Sequence, residues 1–209
     1  MASKTQARRE ALRSNLIEIA ERTISNDGLR ALRARDLAKE AGCAVGAIYN
    51  VFGDLTDLTL AVNARTFQRL GADVEAALAD APQDPVEQLV VMAQAYHHFA
   101  AANHLTWRAL FDVERPAGET APDWYLQEMG RLFTYISDPL AVIFPETDAE
   151  DLSLLTRALF SSVHGIVLLG LDEASAGVPT EDIDRMIALV LRQLTSPKAK
   201  KMNIVHFLT

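Results

Sequence analysis

The sequence predicts an all-α protein, on three observations. Apolar residues recur at helical spacing along most of the chain, no segment shows the strict alternation of a strand, and Gly, Pro and capping residues cut the chain into nine helical stretches. The expected layout is a three-helix head over residues 8–62, a helical body over 63–196 and a tail over 197–209.

The first helix follows from Leu12, Leu16, Ala20 and Ile24, which step by four and end at Gly28. A short helix from Asp36 to Ala41 stops at Gly42, and another runs from Ala44 to Val51. Asp54 and Asp57 read as an N-cap and a third-position acid opening a long helix, with Leu60, Ala64, Phe67, Leu70, Val74 and Leu78 on its inner face. Asp84-Pro85 with Glu87 marks the next start, and Val86, Leu89, Val90, Ala93, His97 and Ala100 carry that helix onward. A shorter helix is expected from Leu105 to Val113, then an irregular connection from Glu114 to Pro122. Helical spacing resumes with Tyr125, Met129, Leu132, Phe133, Ile136, Leu140 and Ile143. Thr147 and Glu150 have capping-box spacing ahead of Leu152 to Leu171, apolar almost all round and so expected to be buried on every side. Gly177-Val178-Pro179 precedes a last helix with Ile183, Ile187, Val190, Leu191 and Leu194.

Composition narrows the class. At 209 residues, 49% hydrophobic and 23% charged, the chain can bury a sizeable core. No unbroken apolar run of membrane length is evident, and Met1 to Gln6 lack an apolar leader. Cys43 stands alone, which fits a reducing compartment, and the expected location is cytoplasmic without a membrane partner. The net charge of −8 argues against nucleic acid until its distribution is read. The first fifty residues hold 9 Lys and Arg against 6 acids, whereas the remaining 159 hold 11 against 22. A basic start on an acidic body suits a DNA-reading head.

Residues 33–52 form a helix, a glycine turn and a second helix of the size that fits the major groove. Ala38 and Gly42 are small where the helices cross. Leu37, Ile48 and Phe52 face inward, leaving Val45, Ala47, Tyr49 and Asn50 outward. With Leu37, Ala38, Ala41, Gly42, Cys43, Gly46, Ile48, Tyr49 and Phe52 in place, this stretch resembles the helix-turn-helix of the TetR family. Gly28, Asp54 and Leu58 also stand where that family has a helix end, a cap and a core residue.

The resemblance implies a nine-helix architecture with a C-terminal ligand-binding and dimerisation domain. It implies a homodimer that binds double-stranded DNA at a palindromic operator and is released by a small apolar effector. Residues 44–50 would be the recognition helix, so Ala44, Val45, Gly46, Ala47, Tyr49 and Asn50 become DNA candidates. Arg35, one turn into the preceding helix, could bond a guanine bidentately. Tyr49 would meet a phosphate or a thymine methyl, and Asn50 an adenine edge or the backbone. Relatives usually carry Ser or Thr where Arg33 and Ala44 stand, and a Lys where this chain has Leu55. With no Lys or Arg between Lys39 and Arg65, the phosphate clamp would lean on helix N-termini and on Arg8, Arg9, Arg13, Arg33 and Arg35. The competing reading is a dimer of this fold that has lost DNA binding and works as a ligand-binding or protein-interaction module.

By the same resemblance, His97, Trp107, Phe111, Trp124, Met129, Phe133, His164 and Leu168 are candidates for an effector cavity. Each has plain core as its alternative. The segment from His104 to Phe111 would link cavity and head. Ala158, Ser162, Gly165 and Leu169 form a stripe on the penultimate helix that would let a second copy approach, joined by Ile187 and Leu191 of the last helix. No catalytic residue, cofactor or metal is expected. His97-His98 and His104 lack an i,i+4 pair, Cys43 lies far away, and neither a phosphate loop nor a serine elbow is present.

Overall fold

The computed structural model describes residues 4–113, 118, 120–172 and 179–196. Among these it contains nine α-helices and two short 3-10 turns, without a strand. The helices are α1 (Lys4–Asp27), α2 (Ala34–Glu40), α3 (Val45–Val51), α4 (Leu55–Ala79), α5 (Pro85–Ala102), α6 (His104–Ala109), α7 (Asp123–Ile143), α8 (Ala149–Gly170) and α9 (Ile183–Leu194). Most of the expected Glu114–Pro122 connection, Gly177-Val178 and the 197–209 tail lie outside the described residues. The described residues divide into two compact units, one drawn from the stretches 4–69 and 102–129 and the other from 70–101 and 130–196.

In the first unit, α1 buries Leu16, Ala20 and Ile24, the expected stripe, together with Ile17 and Ile19. It ends at Gly28, whose φ of 79° lies in the left-handed region that side chains disfavour. Gly42, with φ 65°, makes the turn between α2 and α3. Its N–H donates to the Lys39 carbonyl and that of Cys43 to the Ala38 carbonyl, the paired bonds of a Schellman ending. A left-handed C′ residue redirects the chain within one residue, and so the two short helices can cross. Leu37, Ala38, Ile48 and Phe52 then meet Leu16, Ile19, Ala20, Leu58 and Val62 in one core. Ile48 is fully buried there, and truncating such a side chain to Ala costs about 2–5 kcal/mol.

α4 opens as expected. The Asp57 N–H donates to Asp54 Oδ1 at 2.8 Å, and Asp57 Oδ2 accepts from the Gly53 N–H at 3.0 Å. Leu55, half-buried, packs against the helix-turn-helix core rather than standing clear of it. This unit extends beyond the 8–62 stretch because α6 packs on α1 and contributes Ala109 to the same core.

The second unit is built from the rest of α4, most of α5, the later part of α7, and α8 and α9. Asp84 caps α5 by accepting from the N–H groups of Val86 and Glu87. α7 continues through Pro139, forgoing the helical bond that a residue with an N–H would make to the Tyr135 carbonyl. α8 differs from expectation in two ways. Its cap is Asp148, whose side chain accepts from the Asp151 N–H, because Thr147 lies one residue too early. Nor is α8 buried all round. Thr156, Leu159, Val163 and Val167 face the core, while Leu154 and Leu169 are 57% and 50% exposed. Its length and hydropathy also match a membrane-crossing helix by composition, although Arg157, Ser161, Ser162 and His164 interrupt its apolar run. Glu150, Asp151 and Arg157 are exposed on it.

Candidate functional site

Because Ile48 anchors α3 in the core, a 3.6-residue period turns Val45, Tyr49 and Asn50 outward. Val45 is 36% exposed and Tyr49 46%; Asn50, Ala44 and Gly46 are exposed, and Ala47 is half-buried. Arg33 and Arg35 are exposed at the start of α2. Neither Arg33 nor Ala44 caps its helix with a side chain, as the missing hydroxyls imply. The structure therefore displays all eight candidate residues on or near one short helix pair.

The surrounding cations divide into two groups. Arg8 and Arg9 are exposed on the first turns of α1. Arg13 instead lays its guanidinium over the Phe52 ring, 5.3 Å from its centroid, where cation–π attraction holds it against the core. Arg22 pairs with Glu40. Arg65 and Arg69 on α4 converge on opposite oxygens of Glu21 on α1, each at 3.1 Å. Sequence spacing could not show this clamp, since Glu21 and the two arginines are far apart in the chain. It links α1 to α4, both of which contribute residues to the core beneath α3.

α6 bears on the same unit. Trp107 is fully buried, stacked edgewise with Phe111 and near His104. Asn63 of α4, wholly buried, donates from Nδ2 to the Ala109 carbonyl at 3.0 Å, and its Oδ1 has no partner among the described residues. That bond satisfies one of the carbonyls a helix leaves open at its C-terminus. A Cβ built on Gly28 would stand 3.6 Å from Leu105 of α6. The short helix is thus tied to α4 and seated against the end of α1.

The effector candidates separate. Trp107, Phe111, Trp124 and Met129 belong to the first unit, and His97, Phe133, His164 and Leu168 to the second. Phe111 and Trp124 are exposed; Met129, Phe133, His164 and Leu168 are half-buried. In the second unit, His164 Nδ1 lies 2.7 Å from the Tyr96 hydroxyl, and its ring stacks on Phe160, which also packs on Phe133. Tyr96, which follows Leu89 and Ala93 at helical spacing but is not among the candidates, thus joins His164. His97 turns elsewhere: its Nδ1 meets Asp184 Oδ1 at 2.8 Å, and His98 Nε2 meets Oδ2 at the same distance. Partial burial raises the Asp184 carboxyl, but hydrogen bonds from His97 and then His98 outweigh it and hold the group below its ordinary value.

One expectation for the partner surface is corrected. Ile187 and Leu191 are buried in the core of their own unit, so they cannot present a surface to a second copy. The exposed apolar residues of α9 are Leu189 and Leu194. Ala158, Ser162 and Leu169 of α8 are exposed and Gly165 is half-buried, with open space where its Cβ would be.

Two family models match the chain. Residues 16–62 match the model for bacterial regulatory proteins of the tetR family, and residues 89–194 match that for the tetracyclin repressor-like C-terminal domain. No curated protein matches. Among solved structures, a protein of unknown function from Rhodococcus sp. RHA1 superposes with a TM-score of 0.69 at 24% identity, over 87% of this chain and 94% of its own. A TetR transcriptional regulator from the same organism superposes at 0.61 with 18% identity, over 88% and 96%. RolR, solved in complex with the ligand resorcinol, superposes at 0.66 with 20% identity, over 93% and 92%. At these identities the superpositions speak to the fold.

Proposed function

The chain belongs to the TetR family of bacterial regulatory proteins, a family of transcriptional regulators rather than enzymes, and from that premise we propose that it is a cytoplasmic repressor. It binds a palindromic operator as a homodimer, reading bases from α3 and from Arg35, and lets go when a small apolar effector enters the C-terminal domain. The observation that carries this reading is the outward display of Val45, Tyr49 and Asn50 beside Arg33 and Arg35, on a helix pair whose inner face is fully committed to the core. The apolar residues exposed on α8 support a second copy as their cover, since burying a Leu contributes about 1.5–3 kcal/mol. For the effector, support comes from the Tyr96–His164–Phe160–Phe133 group, an apolar aromatic wall with a paired polar tip. RolR, of like fold, binds an aromatic diol.

Signal transmission follows from α6. A ligand that shifts this helix must disturb Ala109 and its Asn63 bond, and with them the core on which α3 rests. Linkage requires the converse: DNA must weaken the effector by the same factor, typically about 1–3 kcal/mol of coupling. The deciding experiment is genome-wide mapping of protected sites with the purified protein, followed by affinity on a recovered site with and without small aromatic compounds. A two-fold symmetric site bound by a dimer supports the proposal. Failure to protect any site sinks it in favour of the module that has lost DNA binding.

A further inference from the structure

The second unit holds a group of side chains that the regulatory reading leaves unused. His97 and His98 are neighbours in α5, and both reach the single carboxylate of Asp184 in the first turn of α9, one to each oxygen. The three side chains offer donor atoms that all lie within 4.8 Å of one another. His97 closes the inner side, and His98, with a side chain 64% exposed, leaves the outer side open to solvent. The geometry points to a binding site for one divalent transition-metal ion of the zinc, cobalt or nickel kind on His97, His98 and Asp184.

The donor chemistry selects that class. Neutral imidazoles suit zinc, nickel, copper and iron, whereas calcium and magnesium prefer all-oxygen sets. A tetrahedral ion with bonds of about 2.0–2.2 Å needs donors roughly 3.3–3.5 Å apart. With one Asp184 oxygen as ligand, its contact of 2.8 Å opens by about half an ångström, and the other donor separations, all within 4.8 Å, close toward the same value. When the ion takes the contacting nitrogen of each neutral imidazole, the proton in that nitrogen–oxygen contact moves to the remote nitrogen of the same ring, so both rings stay neutral ligands. For His97 that nitrogen is the buried Nε2, which has no partner among the described residues. Whether bare or protonated it stays unpartnered, so the ion adds no new buried orphan. Three protein ligands leave one position open for water or an anion, and the set carries one negative charge against two positive.

Such an ion would staple α5 to α9. A second link between these helices, Glu87 with Arg192, runs between residues nearer the start of α5 and the end of α9, as antiparallel packing demands. The inference concerns this cluster alone and stands whether or not the protein binds DNA.

The test uses the full-length chain freed of metal by chelation and then titrated with Co(II) and Zn(II). One Co(II) per chain should give the visible absorption of a four- or five-coordinate site. The melting temperature should rise with metal concentration, because an ion that binds only the folded state stabilises it by mass action. His98→Asn, at an exposed position, should retain the helical content and lose both signals, weakening the ion by more than the roughly 10–100-fold that loss of a supporting partner costs. Asp184→Asn should do the same, and if it folds poorly His98→Asn alone decides. Absence of stoichiometric binding overturns the inference, as does binding of unchanged strength in His98→Asn.

Discussion

Tyr49 and Arg35 are both exposed, yet the chemistry assigned to them differs, and two substitutions separate the roles. If Arg35 bonds a guanine bidentately, Arg35→Ala should cost about 1–3 kcal/mol on the cognate site and relax preference at one base pair. Tyr49→Phe, which removes only a hydroxyl, should weaken cognate and scrambled DNA alike. Anisotropy titrations on both DNAs check this, and equal losses for Arg35→Ala would reduce it to a phosphate contact. A second prediction concerns Glu87, whose bond from Arg192 holds its carboxyl below the ordinary value of 4.5. A lowered folded pKa gives a contribution that is complete above the unfolded value and fades as pH falls through the folded one. The melting-temperature gap between wild type and Glu87→Gln should therefore be level from pH 7 to about 5.5 and close on further acidification. Residue roles were legible where periodicity alone decides them, as for inward Leu37, Ile48 and Phe52 and outward Val45, Tyr49 and Asn50. They were not legible where a contact joins distant segments. Arg13 was a free phosphate cation until Phe52 came beneath it, and nothing in the spacing ties Asp184 to His97 and His98.

Among the described elements, α6 is the shortest α-helix, and it is joined to both α1 and α4. Asn63→Leu removes the donor to the Ala109 carbonyl but also removes the unpartnered Oδ1, exchanging one buried orphan for another. Stability should therefore change by no more than about 1–2 kcal/mol. The coupling should change more, because the tie between α4 and α6 is gone: the factor by which effector lowers DNA affinity should fall toward one. Urea melts measure the first quantity and paired DNA titrations the second. A variant with wild-type coupling would show that the signal bypasses this bond. Two caps follow their sequence spacing, Asp54 and Asp84 both accepting from the first turns of their helices, whereas the cap of α8 falls one residue later than expected, at Asp148. The misreading of α8 has a physical origin. An apolar helix in a sequence does not say whether its second face meets its own core or something outside, and here Leu154 and Leu169 are left outward.

At the scale of the whole molecule, that outward face bears on oligomeric state. Leu169→Glu places a charge on the proposed contact between copies without entering the core, so it should shift a dimer to monomer in light scattering while helical content is kept. A monomeric wild type, or a dimer indifferent to the substitution, would remove α8 from the interface. Helix periodicity carries no sign that residues 102–113 and 120–129 cluster with the first helices in one compact unit, because that grouping rests on contacts between distant segments. The return of Ala109 into the helix-turn-helix core means that the DNA-reading module is not a transferable cassette. A chimaera made by grafting residues 1–62 onto another regulator's body would inherit α2 and α3 intact but lack the wall that α6 supplies. It should melt less cooperatively than a graft that also carries residues 102–113, and the donor of that wall, rather than the donor of the recognition helix, would decide whether the hybrid still answers to its ligand.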